Sequence, residues 1–178
     1  MDNGQPTFLQ LTLKTTVVHT VTYSVVGIMA FWLLDYSSLF ADTKLSLLMR
    51  QTDDPWVMAG PLFQPIRGFL FGVVFFLLRD VLFTKSNGWL VMWLVLMILG
   101  IFSTFGPTPG SIEGYIYTTI PLWLQVTCTP EVLLQSLLLS FVVFFWVKHS
   151  EKRWIGWSLG IPFFVVLALP VLGLIVSE

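Results

Sequence analysis

Apolar segments long enough to cross a lipid bilayer recur along the chain, and they constrain the fold more than any other feature. A membrane-spanning helix needs about 17–25 predominantly apolar residues. The chain is 56% hydrophobic and only 11% charged, whereas soluble domains carry about 25% charged residues. We therefore predict a single polytopic, all-α membrane domain over residues 1–178, a bundle of five transmembrane helices with spans at about 15–34, 61–83, 89–105, 130–147 and 154–176.

A sixth apolar stretch, residues 115–126, is too short to span the bilayer and contains Pro121. We expect it to form a short re-entrant or interfacial helix. Two other prolines follow side chains that cap helices, at Asp54-Pro55 and Thr129-Pro130. Because this order is typical of helix starts, we expect the fourth span to begin at Pro130.

Arg67 is the most costly residue inside the predicted spans. Its guanidinium stays charged, and placing it in a membrane-spanning helix costs at least ~2.5–3.5 kcal/mol. The side chain either reaches the interface or meets a partner, for which Glu113 and Glu131 are the candidates, and we predict Glu113. Gln64 lies one helical turn before Arg67 and can supply a hydrogen bond. Glu131 has a second interpretation, a first-turn carboxylate stabilised by the helix dipole.

Residues 106–114 contain three glycines and two prolines. This composition is typical of a loop, and it also occurs in the unwound segments that line transporter sites. The segment precedes the short apolar stretch on the side where Arg67 should lie. We therefore predict a ligand site there, with Arg67, Gln64, Glu113 and Glu131 as its polar part and Tyr115, Tyr117 and Trp123 as its walls.

Polar residues recur at helical spacing along the first and fourth spans. In lipid, such side chains commonly hold helices together, which favours packing over ligand contact. His19 is expected to be neutral, in the cytoplasmic half of the first span, and hydrogen-bonded to a neighbouring helix; a proton relay is the alternative. The two stripes are Thr12, Thr15, Thr16, His19, Thr22 and Tyr23 in the first span and Gln135, Ser136 and Ser140 in the fourth.

Within the predicted spans, two pairs of glycines are spaced four residues apart, Gly68 with Gly72 and Gly156 with Gly160. Small residues at this spacing let helix backbones approach closely. The contact can lie within a protomer or between protomers. Since five spans leave limited room for an internal site, we expect a homo-oligomer or membership of a larger membrane complex.

Basic residues are distributed unevenly between the two sides of the predicted bundle. By the positive-inside rule, this asymmetry predicts a cytoplasmic N-terminus and an extracytoplasmic C-terminus. No small-x-small cleavage site follows the first apolar stretch, and we expect a multi-pass protein of a bacterial cytoplasmic membrane. One side holds Lys14, Arg79, Lys85, Lys148, Lys152 and Arg153, and the other holds Lys44 and Arg50.

The net charge, the cysteine count and the lack of catalytic motifs limit the functions that we expect. A net charge of −1 gives no electrostatic basis for nucleic-acid binding. Cys128 is the single cysteine, which excludes an intrachain disulfide and a cysteine-based metal site. No catalytic motif occurs, so we predict no metal and no cofactor, and we lean away from an enzyme.

The leading prediction is therefore a membrane protein that binds or transports a small polar, anionic or amphiphilic ligand from the extracytoplasmic side. A structural subunit of a larger membrane complex is the first alternative. The second is an enzyme acting on a lipid headgroup, in which Glu113 and Glu131 would perform acid–base chemistry beside Arg67.

Overall fold

The computed structural model describes residues 5–41, 46 and 49–176, and within them the chain is helical, with no strand. A 3₁₀ turn at Gly60–Phe63 leads directly into the fourth helix, and a π-helical turn at Ile98–Phe102 follows the sixth. The α-helices of the described ranges are α1 (Phe8–Leu33), α2 (Tyr36–Ala41), α3 (Pro55–Met58), α4 (Gln64–Leu77), α5 (Arg79–Leu82), α6 (Gly88–Met97), α7 (Ile112–Tyr117), α8 (Leu122–Lys148) and α9 (Arg153–Val176).

Four helices in the described part of the chain are long and apolar enough to cross a membrane. They confirm an all-helical architecture typical of membrane proteins. The predicted third span is an apolar helix of 15 residues, about 22 Å long at 1.5 Å per residue, and is shorter than a hydrocarbon core of about 30 Å. The predicted count of five is therefore not confirmed. The four long segments are Phe8–Leu33, Gly60–Leu77, Leu122–Lys148 and Arg153–Ile175.

Helix α1 begins well before the predicted start at Thr15. The Thr7 side chain accepts a hydrogen bond from the Gln10 backbone, and the Gln10 side chain accepts one from the Thr7 backbone. This capping box satisfies two amide groups that would otherwise lack partners. The predicted start at Asp54-Pro55 is confirmed, because the Asp54 side chain caps α3 by accepting from Trp56 N at 2.8 Å.

The second predicted start, at Pro130, is wrong. Helix α8 begins at Leu122 and continues through Pro130 to Lys148. A proline inside a helix leaves one backbone carbonyl without its usual donor, and in membrane helices neighbouring side chains make this tolerable. The re-entrant or interfacial helix predicted at 115–126 is not confirmed either, since this stretch contains the end of α7 and the beginning of α8.

The long helices run between two ends of the molecule. At one end the Lys14 ammonium donates to the Trp146 carbonyl at 3.1 Å and to Ser150 Oγ at 2.7 Å. At the opposite end of α9, Gly173 lies beside Met58, which is 3.6 Å from a Cβ built on the glycine. We call the first the basic end, because chain continuity places there Lys14, Arg79, Lys85, Lys148, Lys152 and Arg153.

Helix α1 is the central element and packs against α4, α8 and α9, while α6 packs against α8. The main apolar core lies between α1, α4, α6 and α8 and includes Leu11, Val18, Phe75, Met92, Leu139 and Val143. A Cβ atom built on Gly68 would come within 2.7 Å of Thr16 Cα. Glycine at this position therefore allows α4 to lie directly on the backbone of α1.

Candidate functional site

Gln64 is the centre of a polar cluster where α4 begins against the middle of α1. Its Oε1 accepts a hydrogen bond from Arg67 Nη1 at 3.3 Å and lies 3.2 Å from His19 Nε2. Its amide nitrogen donates to the Gly60 carbonyl at 3.2 Å. The Gln64 side chain is therefore buried and held in one orientation. Because an amide oxygen only accepts, His19 must carry its proton on Nε2 in this arrangement.

His19 is fully buried, and its ring makes a T-shaped contact with Phe71 at a centroid distance of 5.0 Å. The hydrogen bond to a neighbouring helix agrees with the interpretation of a neutral histidine that joins two helices. His19 is the twelfth of the 26 residues of α1, close to the middle of the helix, and its placement in the cytoplasmic half stays a prediction. Within the described residues, His19 Nδ1 and Thr15 Oγ1, one turn apart, have no hydrogen-bond partner.

Arg67 is exposed on the surface of the protomer, one turn beyond Gln64. Its guanidinium carbon lies 5.9 Å from the centre of the Tyr23 ring, a cation–π contact with α1. Contact with a residue three positions earlier shows that the side chain points back toward the start of α4. In the described ranges no carboxylate lies within 4.0 Å of this guanidinium, so the expected pair with Glu113 is not formed.

Glu131 lies inside α8, because that helix begins at Leu122. The interpretation of Glu131 as a first-turn carboxylate is therefore wrong. Its Oε2 accepts a hydrogen bond from the Tyr36 hydroxyl on α2, and the Tyr36 ring stacks on Phe40. Burial raises the pKa of Tyr36 above its ordinary value of 10.0, and the bond to Glu131 raises the pKa further. No pattern in the sequence had singled out Tyr36.

The other predicted site residues lie on α7 and at the beginning of α8. Glu113, Tyr115 and Tyr117 belong to α7, and Trp123 lies in the first turn of α8. The three aromatic side chains are exposed. Among the described residues, none of these four side chains makes a hydrogen bond, ion pair or ring contact with Arg67 or Gln64. The structure therefore joins Arg67 with Gln64 and leaves the remaining predicted residues in separate places.

Gln125 organises the glycine- and proline-rich segment, and the sequence reasoning missed it. The side chain is buried, accepts from Gly110 N at 3.3 Å and donates to the Ile120 carbonyl at 3.0 Å. Gly110 has a φ of +84°, which favours glycine. A glutamine in the middle of an apolar stretch was the signal available in the sequence. This network supports the plain-loop interpretation of residues 106–114.

Most hydroxyl groups of the threonine and serine stripes, with Thr15 as an exception, donate to carbonyl groups of their own helix. Thr12 and Thr16 each donate to the carbonyl four residues earlier at 2.8 Å. Ser140 does the same to Ser136 at 2.8 Å. Such bonds leave small, locally satisfied side chains on the packing faces. Thr12 and Thr16 lie against Gly72 and Gly68 of α4, so the first stripe includes a helix contact, and a packing role for the stripe in α8 stays a prediction.

Four apolar helices of this length, with a polar cluster between two of them, indicate a membrane protein. Within the described residues there is no group of three metal-ligating side chains. The chain matches no protein-family model, no curated protein and no solved structure at significant similarity.

Proposed function

We propose that this protein binds a small polar, anionic or amphiphilic ligand at the end opposite the basic end, and that transport of this ligand is its cellular role. One observation carries the proposal. Arg67 presents an exposed guanidinium whose hydrogen bond within the described chain goes to a neutral amide, Gln64. A permanent cation that is exposed on the protein and has no carboxylate partner among the described residues is suited to bind an anionic group.

The surroundings of Arg67 support binding because they hold its position. Gln64 is fixed by His19 and the Gly60 carbonyl, and Tyr23 lies under the guanidinium. A cation that is already oriented loses less conformational entropy when a ligand binds. Within the described part of the chain, the other N–H donors of the Arg67 guanidinium have no acceptor and are available to a carboxylate or phosphate.

The hydroxyl–carboxylate pair of Tyr36 and Glu131 is a second candidate for polar recognition. The Tyr23 ring lies 5.9 Å from the Arg67 guanidinium carbon, and within the proposal the Tyr36–Glu131 pair contributes a separate polar contact to the same ligand. Within the proposal, the exposed aromatic side chains contact the apolar part of an amphiphile. These are Tyr115 and Tyr117 on α7, which also carries Glu113, and Trp123 on α8.

The proposed orientation of the protein in the membrane follows from the distribution of its basic residues. With the basic end in the cytoplasm, Arg67 is reached from the extracytoplasmic side of a bacterial cytoplasmic membrane. The N-terminus is then cytoplasmic and the C-terminus extracytoplasmic. With the termini on opposite sides, the 15-residue helix Gly88–Phe102 must cross the membrane as the fifth span. Local thinning of the bilayer would accommodate its short length.

A structural subunit of a larger complex, or of a homo-oligomer, is the second candidate. It is favoured by α9, which has no buried residue in its most apolar 18-residue window. In that case a carboxylate of a neighbouring subunit meets Arg67. A lipid-headgroup enzyme has less support, since the Glu131 carboxylate already accepts from Tyr36.

Extraction from native membranes into polymer-bounded nanodiscs, followed by mass spectrometry, separates these functions. Wild type and the variant Arg67→Gln are compared with Arg50→Gln, a matched control whose arginine already pairs with Asp54 at 2.9 Å. Ligand binding predicts an anionic species that is retained by wild type and Arg50→Gln and lost from Arg67→Gln. Stoichiometric partner proteins with no such species support the structural subunit, and turnover of an added lipid supports the enzyme.

A further inference from the structure

A groove of about 580 Å³ opens at the basic end, where the chain turns from α8 into α9. Its volume lies within the range of about 300–1,000 Å³ that is usual for small-molecule sites. The groove combines two cations, two indole rings and two glycines. These residues are Lys152, Arg153, Trp146, Trp157, Gly156 and Gly160.

The two glycines create space and do not bring helices together. No heavy atom lies within 4 Å of a Cβ atom built on Gly160, and the nearest atom to one built on Gly156 is Trp146 Cζ2 at 3.7 Å. By contrast, a Cβ atom built on Gly68 comes within 2.7 Å of the α1 backbone. Glycines at the same four-residue spacing therefore make a helix contact in α4 and border open space in α9.

The cations of the groove are not neutralised by the described part of the protein. Arg153 forms no ion pair or side-chain hydrogen bond there, and the Lys152 ammonium lies 5.5 Å from the centre of the Phe145 ring. Glu151 is in the same turn but lies more than 4.0 Å from either cation. Lys14 adds positive charge nearby, since its ammonium donates to Ser150 Oγ.

We propose that this groove binds an anionic phospholipid, with its phosphate at Lys152 and Arg153 and the upper part of one acyl chain over Gly156 and Gly160. Clusters of basic residues at the end of a membrane helix attract anionic headgroups. Tryptophan favours the headgroup level of the bilayer, which matches Trp146 and Trp157. The site lies at the opposite end from Arg67 and does not depend on the proposed ligand function.

The test uses the full-length protein in a neutral maltoside detergent. Phosphatidylglycerol and phosphatidylcholine with the same acyl chains are titrated separately, and retained lipids are counted by native mass spectrometry. The proposal predicts saturable binding of phosphatidylglycerol in preference to phosphatidylcholine. Lys152→Gln and Arg153→Gln should each weaken this binding about five-fold. Lys85→Gln is the matched control, a basic-end lysine that does not line the groove, and should bind as wild type does.

A substitution that fills the groove tests the apolar part of the site. Gly160→Leu places a side chain in the open groove, so phosphatidylglycerol binding should be lost while the melting temperature stays close to that of wild type. Glycerol 3-phosphate alone should not saturate the site, because it lacks the acyl chain. Equal binding of both lipids, or unchanged binding in the charge variants, would overturn the proposal. A lower particle mass for Gly160→Leu would show instead that a second copy of this chain fills the groove.

Discussion

Gly72 lies so close to Thr12 that a Cβ atom built on the glycine would come within 2.7 Å of the threonine Cα. One turn earlier, Gly68 has the same relationship with Thr16. The two contacts place α4 directly on α1 within one protomer. The sequence had left open whether this glycine pair joins helices within a protomer or between protomers, and the structure decides for the former.

The first prediction is that Gly68→Leu destabilises the protomer itself. A leucine would force α4 away from α1, and overpacking of this kind typically costs about 1–3 kcal/mol, occasionally more. The melting temperature in detergent and the yield from membranes should both fall. Gly160→Leu is the matched control, because the same substitution enters an open groove. Equal melting temperatures for Gly68→Leu and wild type would contradict the close contact.

The second prediction concerns the hydrogen bond between His19 and Gln64. In a double-mutant cycle with His19→Ala and Gln64→Ala, the double variant should lose less stability than the sum of the single variants. Interhelical hydrogen bonds in membranes average about 0.6 kcal/mol, with a maximum near 1.7 kcal/mol. The measurement is reversible unfolding in mixed micelles.

A second cycle supplies the control for this coupling. Thr22 is on the same helix as His19, but its hydroxyl donates to α1 carbonyl groups, at 2.8 Å to Val18. Thr22→Ala combined with Gln64→Ala should therefore be additive. A coupling of the same size in both cycles would mean that the effect does not come from the His19–Gln64 bond.

The third prediction is a pH effect at Tyr36. Burial first, and the Glu131 bond second, raise the pKa of Tyr36 above 10.0 in the folded state. The resulting stabilisation is complete below the ordinary pKa of tyrosine and is lost as pH rises through the higher folded-state pKa. Wild type should therefore lose stability above about pH 10 more steeply than Tyr36→Phe.

Melting temperatures measured across that pH range provide the test. Tyr117→Phe is the control, because the Tyr117 side chain is exposed and its hydroxyl has no hydrogen-bond partner in the described ranges. Parallel pH profiles for wild type and Tyr36→Phe would show that Tyr36 does not hold α2 against α8 in the way the structure indicates.

The fourth prediction concerns topology. Fusions to a cytoplasmic reporter should be active after Lys85 and Lys152 and inactive after Gly110, because the basic end should face the cytoplasm. A fusion after Asp42 should be inactive as well, although Asp42 lies outside the described residues. An active Gly110 fusion would mean that the helix Gly88–Phe102 does not cross the membrane, and would exclude the five-span arrangement.

The sequence predicted the long helices well, because each depends on a continuous apolar run that is visible along the chain. It failed at Pro130, where a local capping pattern suggested a helix start. The Thr129 hydroxyl donates to the Gln125 carbonyl at 2.7 Å. Helix α8 continues through Pro130, which is itself exposed, and packs as a whole against α1 and α6. Whether a helix stops at a proline depends on tertiary contacts that the local pattern does not contain.

The site was predicted only where its residues lie on one helix. Gln64 and Arg67 are one turn apart, so helical spacing predicts their contact. The residue of α1 that contacts Gln64 is His19, and its identity depends on the axial position of α1 relative to α4. That register is set by Gly68 and Gly72 meeting Thr16 and Thr12, a match between two distant segments. The Tyr36–Glu131 bond likewise joins residues 95 positions apart.

The central claim is that Arg67 binds an anionic group, and a titration with decyl phosphate tests it most directly. The background is the double variant Lys152→Gln/Arg153→Gln, so that the groove at the basic end does not contribute. Melting temperature in a neutral detergent is measured with decyl phosphate and with uncharged decanol. A ligand that binds only the folded state raises the melting temperature.

In this background, decyl phosphate should raise the melting temperature more than decanol does. Adding Arg67→Gln should weaken the effective affinity about ten- to hundred-fold, since hydrogen bonds to charged groups are worth about 1.5–3 kcal/mol. Adding Arg50→Gln should leave the affinity unchanged. If decyl phosphate stabilises the Arg67→Gln protein as strongly as its parent, Arg67 is not an anion-binding residue, and the proposed function fails.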